Sequence, residues 1–586
     1  MISLKLADIF TNLAGAQKSE TGGKEAVLSL MRAARTLRDD PGIIEEILKG
    51  KSPGSSSGID NYCYGLITEY LDNGSIEKYR RFSADYSQDL VRLIRMTGMG
   101  RKRVLSIYKE FSIKDLEDLK SVFMERDAAG TAASSKLGKD VLNPLFAERI
   151  KRSIEYLDSI RKMIPRWPAE FYAGIIIEQL KRSSEVERIE YTGSIRRKKS
   201  FIGDVDLLLQ PVFNRDRYDM ERSEALIKKI AAYPFMRKLV SVKRTAEDIS
   251  ALFSTIYEFD IEIIIAAGNT WAWQLLKTTG SRDHLAALQE HSLKEGRPGL
   301  NGCTIRELAS EKRIYDALGL DHIPPELRQG KNEVLRASQK KLPSLVSVSD
   351  IMGDLHIHSN WSDGLMDYSQ MIDSARKMGY QYIAISDHSP SNYYGNGLDR
   401  ERLMEKMRFI SALRKKYRDI SILMGSEIDI KKPGVFDYDP DIIRKMDIAI
   451  ASLHSSFLNS VRQNTLMAVS ALEKGFFDLL AHPTGIVFGN RAPIFMDMEK
   501  VIEAAADHRK ALEINSYYMR LDLDEEYACK AAEAGAKLAI NTDSHRPGNM
   551  EMIRLGVDVA RRAGLEAKDI LNTMSYDELM SWRRER

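Results

Sequence analysis

Apolar positions recur along this chain at two rhythms, and the switch between them divides it into regions. Up to about residue 165 they return at helical spacing between glycine-bearing turns. The clearest case is LVRLIRMTGMGRKRVLSIYKEF, with apolar stripes on both sides of Thr97-Gly98-Met99-Gly100, and it predicts a helix-hairpin-helix. A small-residue stretch, AAGTAASSKLG at 128–138, predicts a flexible connection. Between 189 and 265 the pattern becomes that of strands, in IEYTGSIRR, FIGDVDLLLQP and IYEFDIEIIIA. Residues 331–350 (KNEVLRASQKKLPSLVSVSD) are polar, lysine-bearing and interrupted by proline, which marks a boundary. Beyond it come seven apolar segments: GDLHIH, YIAISDH, ILMGSEIDI, IAIASLH, FDLLAHP, ALEINS and LAINTDSH. Each ends in a polar cluster and is followed by helical sequence. Repeats of this length with continuously apolar strands predict a parallel sheet buried on both faces, and seven of them predict a (β/α) barrel.

Composition narrows the class of protein. A chain of 586 residues is several times the usual domain size, so several cores are expected. Charged residues make up 29% of it with a formal net charge of only +3, so any nucleic-acid surface must be local. Cys63, Cys303 and Cys529 lie far apart without CxxC spacing, which excludes a disulfide framework or thiolate zinc site and fits a reducing cytoplasm. No apolar run has membrane-spanning length and the N-terminus lacks a signal-peptide pattern, so no membrane association is expected.

Histidine gives the first chemical lead: of ten, none precedes His284 and seven follow residue 350. Six of the seven predicted strand ends deliver metal-ligating groups, namely His356 and His358, His388, Glu427, His454, His482, then Asp543 and His545, with Asp363 just after the first strand. Reactive groups of such barrels stand at the carboxyl ends of strands. A single histidine there is ordinarily a hydrogen-bonded core residue, but nine ligating groups at one end are not. Residues two apart on a strand share a face, so His-x-His and Asp-x-His can each grip one ion. Mixed imidazole and carboxylate donors suit Zn²⁺, Mn²⁺ or Fe²⁺.

A second constellation sits in FIGDVDLLL, where Asp204 and Asp206 share one strand face. Burying such a pair is costly unless cations neutralise it. With Asp260 on a later strand, three carboxylates could hold two Mg²⁺ ions and activate a 3′-hydroxyl toward a phosphoryl group. Upstream, Gly193-Ser194-Ile195-Arg196-Arg197 offers backbone amides, a hydroxyl and guanidinium forks for phosphate oxygens. Gly98, Gly100, Arg101 and Lys102 would bring amides and positive charge to a DNA backbone, without sequence preference.

The nine barrel residues, together with Asp354-Leu-His-Ile-His-Ser, Ala481-His-Pro and Thr542-Asp-Ser-His, closely resemble the PHP (polymerase and histidinol phosphatase) domain. That resemblance implies three clustered ions and phosphoester hydrolysis, with Asp354, Asp387 and Asp429 supporting the ligands and Arg520 placed to hold a phosphate. Gly-Ser-x-Arg-Arg followed by Gly-Asp-x-Asp resembles the X family of DNA polymerases, relatives of DNA polymerase beta. Thr279-Gly280-Ser281 matches that family's nucleotide-site turn, and GLDHIPPELR, ending at Arg328, matches the end of its core. Glu262 departs from the family, which often has a basic residue there. The order polymerase then PHP domain is that of bacterial and archaeal PolX enzymes.

The resemblance implies a multidomain α/β chain. A degenerate helix-hairpin-helix domain at 1–85 and a second one at 86–153 precede a nucleotidyltransferase palm at 154–266. A nucleotide-site subdomain follows at 267–330, then a linker at 331–350 and a distorted (β/α)7 PHP barrel at 351–586. It implies a cytoplasmic monomer that acts on gapped or primed DNA and dNTPs in base-excision repair, with a metal-dependent 3′-5′ exonuclease. In the first hairpin Gly58-Ile59-Asp60-Asn61-Tyr62 stands where the family has Gly-x-Gly-x-Lys, putting an aspartate toward a phosphate. Leu66 stands where DNA polymerase beta has its Schiff-base lysine, which speaks against a lyase activity. Lys277-Thr278 replaces Tyr-Phe before the Thr-Gly-Ser turn, and the Thr278 hydroxyl is expected to tolerate or bind a ribose 2′-OH.

Overall fold

The computed structural model describes residues 1–17, 24–52, 58–83, 116–123, 144–214, 218–245, 248–300, 305, 308–393, 395–454 and 459–585. The predicted hairpin with Gly98, Gly100, Arg101 and Lys102 lies outside them. The N-terminal region packs helices α1 (Ile2–Gln17), α2 (Lys24–Asp39) and α3 (Asn61–Asn73). Leu6, Phe10 and Leu13 face Leu30, Ala33, Ala34 and Leu37, each set at the spacing of one helical stripe. Asp60 caps α3: its carboxylate accepts from the Cys63 N–H at 2.9 Å and from the Ser29 hydroxyl. These hydrogen bonds hold it below the usual carboxylate range. The anion at this helix N-terminus is therefore the protein's own carboxylate, fixed to its own amides rather than turned toward an external phosphate.

Helix α4 (Pro144–Ile160) leads to a five-stranded sheet of β1 (Val186–Tyr191), β2 (Val205–Pro211), β3 (Met236–Arg244), β4 (Asp248–Thr255) and β5 (Asp260–Ala266), in spatial order β1-β2-β5-β4-β3. Only β2 and β5 pair in parallel, with Asp206 opposite Glu262. Val205, Leu207 and Leu209 point into the core shared with the N-terminal helices, while Leu208 packs on Trp271 and Leu275 of α5 (Trp271–Thr279). The period of two therefore sends Asp204 and Asp206 to the Leu208 face. Residues 331–350 are folded against both neighbours: Glu333 accepts from the buried His284 ring, and the Val346 N–H donates to the Leu565 carbonyl.

The C-terminal region forms seven parallel strands: β6 (Gly353–Ile357), β7 (Tyr382–Ile385), β8 (Ser421–Lys432), β9 (Ile448–Ser452), β10 (Leu479–Leu480), β11 (Ala511–Asn515) and β12 (Lys537–Asn541). They pair in chain order from β6 to β12, with a short antiparallel strand at Val435–Phe436 added to β8. Alternate residues divide between two cores. Ala384, Leu423, Ile450, Leu479 and Ala539 fill one cluster, whereas Ile385, Met424, Ala451, Leu512 and Ile540 join the larger one with the surrounding helices. Between β6 and β12 the barrel is closed largely by amides. Asn572 Nδ2 donates to the Gly353 carbonyl, its Oδ1 accepts from Ile540 N–H, and the His358 N–H reaches the Ser544 carbonyl at 2.8 Å.

The barrel is also clamped to the rest of the chain. Arg166, 1% exposed, bridges Glu170 at 2.7 Å and Asp558 at 2.6 Å, the latter on α6 (Ile553–Arg562). From the same helix Arg562 donates to the Arg197 carbonyl and Arg561 pairs with Glu326. Phe201 stacks on Phe488 at 4.1 Å. The end of α2 meets the barrel's strand-end loops: Tyr518 donates to the Arg38 carbonyl, Tyr517 to Asp39, and Arg35 to the Asp363 carbonyl.

Candidate metal centres of the palm and the barrel

In the palm, Gly193 has φ +60°, and a Cβ there would lie 1.7 Å from Asp206 Oδ2. Only glycine lets the loop close over the carboxylate, and Ser194 then turns its N–H onto Asp206. Oxygens of Asp204, Asp206 and Glu262 lie within 4.8 Å of one another. Asp260 stands two residues before Glu262 on β5, exposed and outside that group. Burial raises the Asp206 carboxyl, Asp204 and Glu262 raise it further, and it reaches about 7. Arg197 and Lys243 offset this only in part, and hard divalent cations would supply the rest. Glu262 was legible as a group on the Asp260 face; that it meets Asp206 depends on the register between β2 and β5, which no local pattern encodes.

The flanking turn is tied to this centre. Arg197 donates to the Thr279 carbonyl at 2.6 Å. Arg196 makes a two-pronged pair with Glu311 at 2.9 and 2.7 Å, and Glu311 also receives Arg328 at 2.5 Å. Ser281 caps the following helix through the His284 N–H, and Gly280 packs so closely that a Cβ would meet His284 at 3.0 Å. The Thr278 hydroxyl donates to the Gln274 carbonyl at 2.7 Å and lies 2.5 Å from Thr192 Oγ1. Its proton is therefore already given to the protein.

At the mouth of the barrel the nine predicted side chains converge. Three groups have ligand atoms within 4.8 Å of one another: His358, Asp363, His388 and His545; His356, His358 and Asp543; His388, Glu427 and His454. Glu427 stands at the centre, 2.7 Å from His388 Nδ1, 2.9 Å from His482 Nε2 and 3.1 Å from His454 Nε2. His482 touches Glu427 but falls outside those three groups. Among the described residues, His356 Nε2, both His358 nitrogens, His388 Nδ1, His482 Nδ1, Asp363 Oδ1 and one Glu427 oxygen are buried and make no properly directed hydrogen bond, even where, as for His388 and Glu427, the two groups lie close. Polar atoms this buried are normally paired, so the donor set fits cations. Burial, with help from His388 and His545, lowers His358 to about 4, which keeps the ring neutral as a ligand must be.

A surrounding layer orients these groups. Asp429 holds His454 Nδ1 at 2.8 Å, Asp354 accepts from the Thr542 and His356 amides, and Asp387 pairs with the buried Lys406. Sequence reasoning missed Glu513, fully buried on β11, which binds His356 Nδ1 at 2.8 Å and accepts from Asn541 and the His482 N–H. Its signal was a lone charge inside the apolar segment ALEINS. Arg520 approaches Asp543 Oδ2 at 3.3 Å. Such partners fix ring orientation and raise ligand basicity.

Comparison with known proteins places the chain in a family. The PHP domain family matches residues 354–519 and the DNA polymerase beta thumb family matches residues 274–329. A probable phosphatase of Thermoanaerobacter sp. strain X514 is 30% identical over 241 residues, covering 38% of this chain and 89% of its own. Another from Shewanella piezotolerans is 28% identical over 235 residues, covering 37% and 88%. The DNA polymerase/3′-5′ exonuclease PolX of Bacillus subtilis strain 168 is 31% identical over 563 residues, 94% of each chain. A match that runs through helices, palm, thumb and barrel alike decides the assignment: this chain belongs to the PolX family.

Proposed function

We propose that this protein is a DNA polymerase that fills gaps during base-excision repair and trims 3′ ends with the exonuclease centre of its barrel. The observation that carries this reading is the pair of ligand sets on one chain, carboxylates alone in the palm and imidazoles with carboxylates in the barrel. In the palm Asp204, Asp206, Asp260 and Glu262 would hold two Mg²⁺ ions, which when bound neutralise charge on the transferring phosphoryl group. Ser194, Arg197 and the Thr279-Gly280-Ser281 turn would seat the triphosphate of a dNTP against them. In the barrel His356, His358, Asp363, His388, Glu427, His454, His482, Asp543 and His545 would hold three ions, Mn²⁺, Zn²⁺ or Fe²⁺, which when bound lower the pKa of a coordinated water. Arg520 would steady the phosphate, and His358 stays neutral because burial disfavours its charged form.

Gapped or primed DNA is the partner we infer, engaged by a monomer in the cytoplasm; among the described residues no helix is long and apolar enough to cross a membrane. The test uses the full chain on a gapped duplex with Mg²⁺ and Mn²⁺ compared. Asp206→Asn should abolish extension and leave 3′-end degradation, while His388→Ala should do the reverse. If Asp206→Asn in a folded protein removed both activities, the two-centre reading would fail.

A further inference from the structure

Between the palm and the barrel lies a cavity of about 440 Å³ that contains none of the metal-ligand side chains. Helix α4, the segment Lys199-Ser200-Phe201 and the loops after β10 and β11 wall it. Its volume is within the roughly 300–1,000 Å³ typical of small-ligand sites. The surface is chiefly apolar and aromatic, with Tyr156 and Phe201 on the palm side and Phe495 and Tyr527 on the barrel side. The cavity touches the machinery at both ends. Arg520 lines it and also contacts Asp543 of the barrel centre at 3.3 Å. Ser200-Phe201 on the opposite wall runs directly into Gly203-Asp204 of the palm centre.

Charged groups also line it, Lys199, Asp522, Asp524 and Glu525 beside Arg520, and the Tyr156 and Ser200 hydroxyls are buried within the wall. Ser200 is 8% exposed, and its Oγ has no hydrogen-bond partner among the described residues. An aromatic chamber with a guanidinium at the side facing the metal ligands matches one chemistry. Its ligand is a flat ring with hydrogen-bonding edges, joined through a sugar to a phosphate. Aromatic side chains are the usual platform for an unpaired base.

We propose that this cavity seats the terminal nucleotide of a 3′ end presented to the barrel centre. Its base lies among Tyr156, Phe495 and Tyr527, and its 5′-phosphate is drawn toward Asp543 by Arg520. The inference rests on the exonuclease reading above. In that hydrolysis the oxygen of water bonds to this phosphorus and the bond to the preceding nucleotide's O3′ breaks. O3′ leaves as a hydroxyl with the proton from water, and a nucleoside 5′-monophosphate is freed. Because a base must leave its stack to enter, the site favours mismatched or unpaired ends, for which unstacking costs least.

The experiment uses the full-length protein, with Ser200→Leu to fill the chamber and Tyr527→Ala to remove one platform, both checked for unchanged thermal unfolding. Binding is read by fluorescence of 2-aminopurine deoxyriboside 5′-monophosphate, which is quenched on stacking. Hydrolysis is compared on single strands ending in a normal nucleotide or in an abasic residue. The wild type should quench the probe and show a KM about tenfold lower for the base-bearing end. Both variants should lose the quenching and bring the two KM values together. Retained quenching in both variants, or equal KM values for the two ends in the wild type, would overturn the proposal. Failure of the wild type to hydrolyse either strand would instead strike the exonuclease reading, and the quenching, which needs no hydrolysis, would still decide the cavity.

Discussion

Gly193 shows how much one missing side chain can carry. Its φ of +60° and the 1.7 Å approach of a would-be Cβ to Asp206 make Gly193→Ala a strained and clashing change at the palm centre. Primer extension should fall at least 100-fold while 3′-end degradation persists, since a displacement of about 1 Å near the chemistry costs that much. Equal loss of both activities would mean that the substitution unfolds the chain. Glu262 is the reverse case, a side chain whose charge is added where relatives often carry a basic one. If it helps to hold cations, Glu262→Gln should weaken Mn²⁺ binding to the nucleotide-free protein about tenfold, read by the paramagnetic resonance of free Mn²⁺. An unchanged affinity would leave the ions to the three aspartates. Thr278 carries a simpler lesson: its loss of bulk relative to Phe is visible in sequence, but its hydroxyl is already given to Gln274.

At the scale of elements, the turn after α5 is held to the palm loop by the Arg196-Glu311-Arg328 cluster. Burial works against the Glu311 carboxylate, but Arg196 and Arg328 outweigh it and lower the group from its ordinary 4.5 to about 2. A depressed acid contributes stability above its unfolded pKa and loses it as pH falls through the folded one. The cluster should therefore contribute fully above about pH 4.5 and nothing below about pH 2, a change on the order of 3 kcal/mol. Chemical denaturation between pH 2 and 5 should show Glu311→Gln with a flatter acid limb than the wild type; parallel limbs would refute the assignment. The same logic of satisfied groups explains Asp60, whose carboxylate completes the N-terminus of α3. It also explains Asn572, whose amide pairs the Gly353 carbonyl and Ile540 N–H where the barrel strands do not meet.

Across the whole molecule, the contacts of α6 with the palm make the barrel a brace rather than a tethered passenger. Arg166→Met should leave the half-buried Asp558 short of a cation, while Glu170 keeps Lys198 and Arg554, costing about 3 kcal/mol. Calorimetry should then resolve palm and barrel as two transitions where the wild type shows them closer together; an unshifted single transition would show the clamp to be dispensable. The sequence by itself marked most of the side chains that the structure brings together. Period-two patterning puts Asp204 beside Asp206 and His356 beside His358, and continuous apolar runs write a parallel barrel with its ligands at strand ends. These are local relations, set by backbone geometry within a few residues. Glu513 and Glu262 gained their meaning only when strands distant in sequence came into register. The cavity and the Arg166 clamp depend on how separately folded surfaces meet, and that is decided by burial and charge pairing across many residues rather than by any one segment.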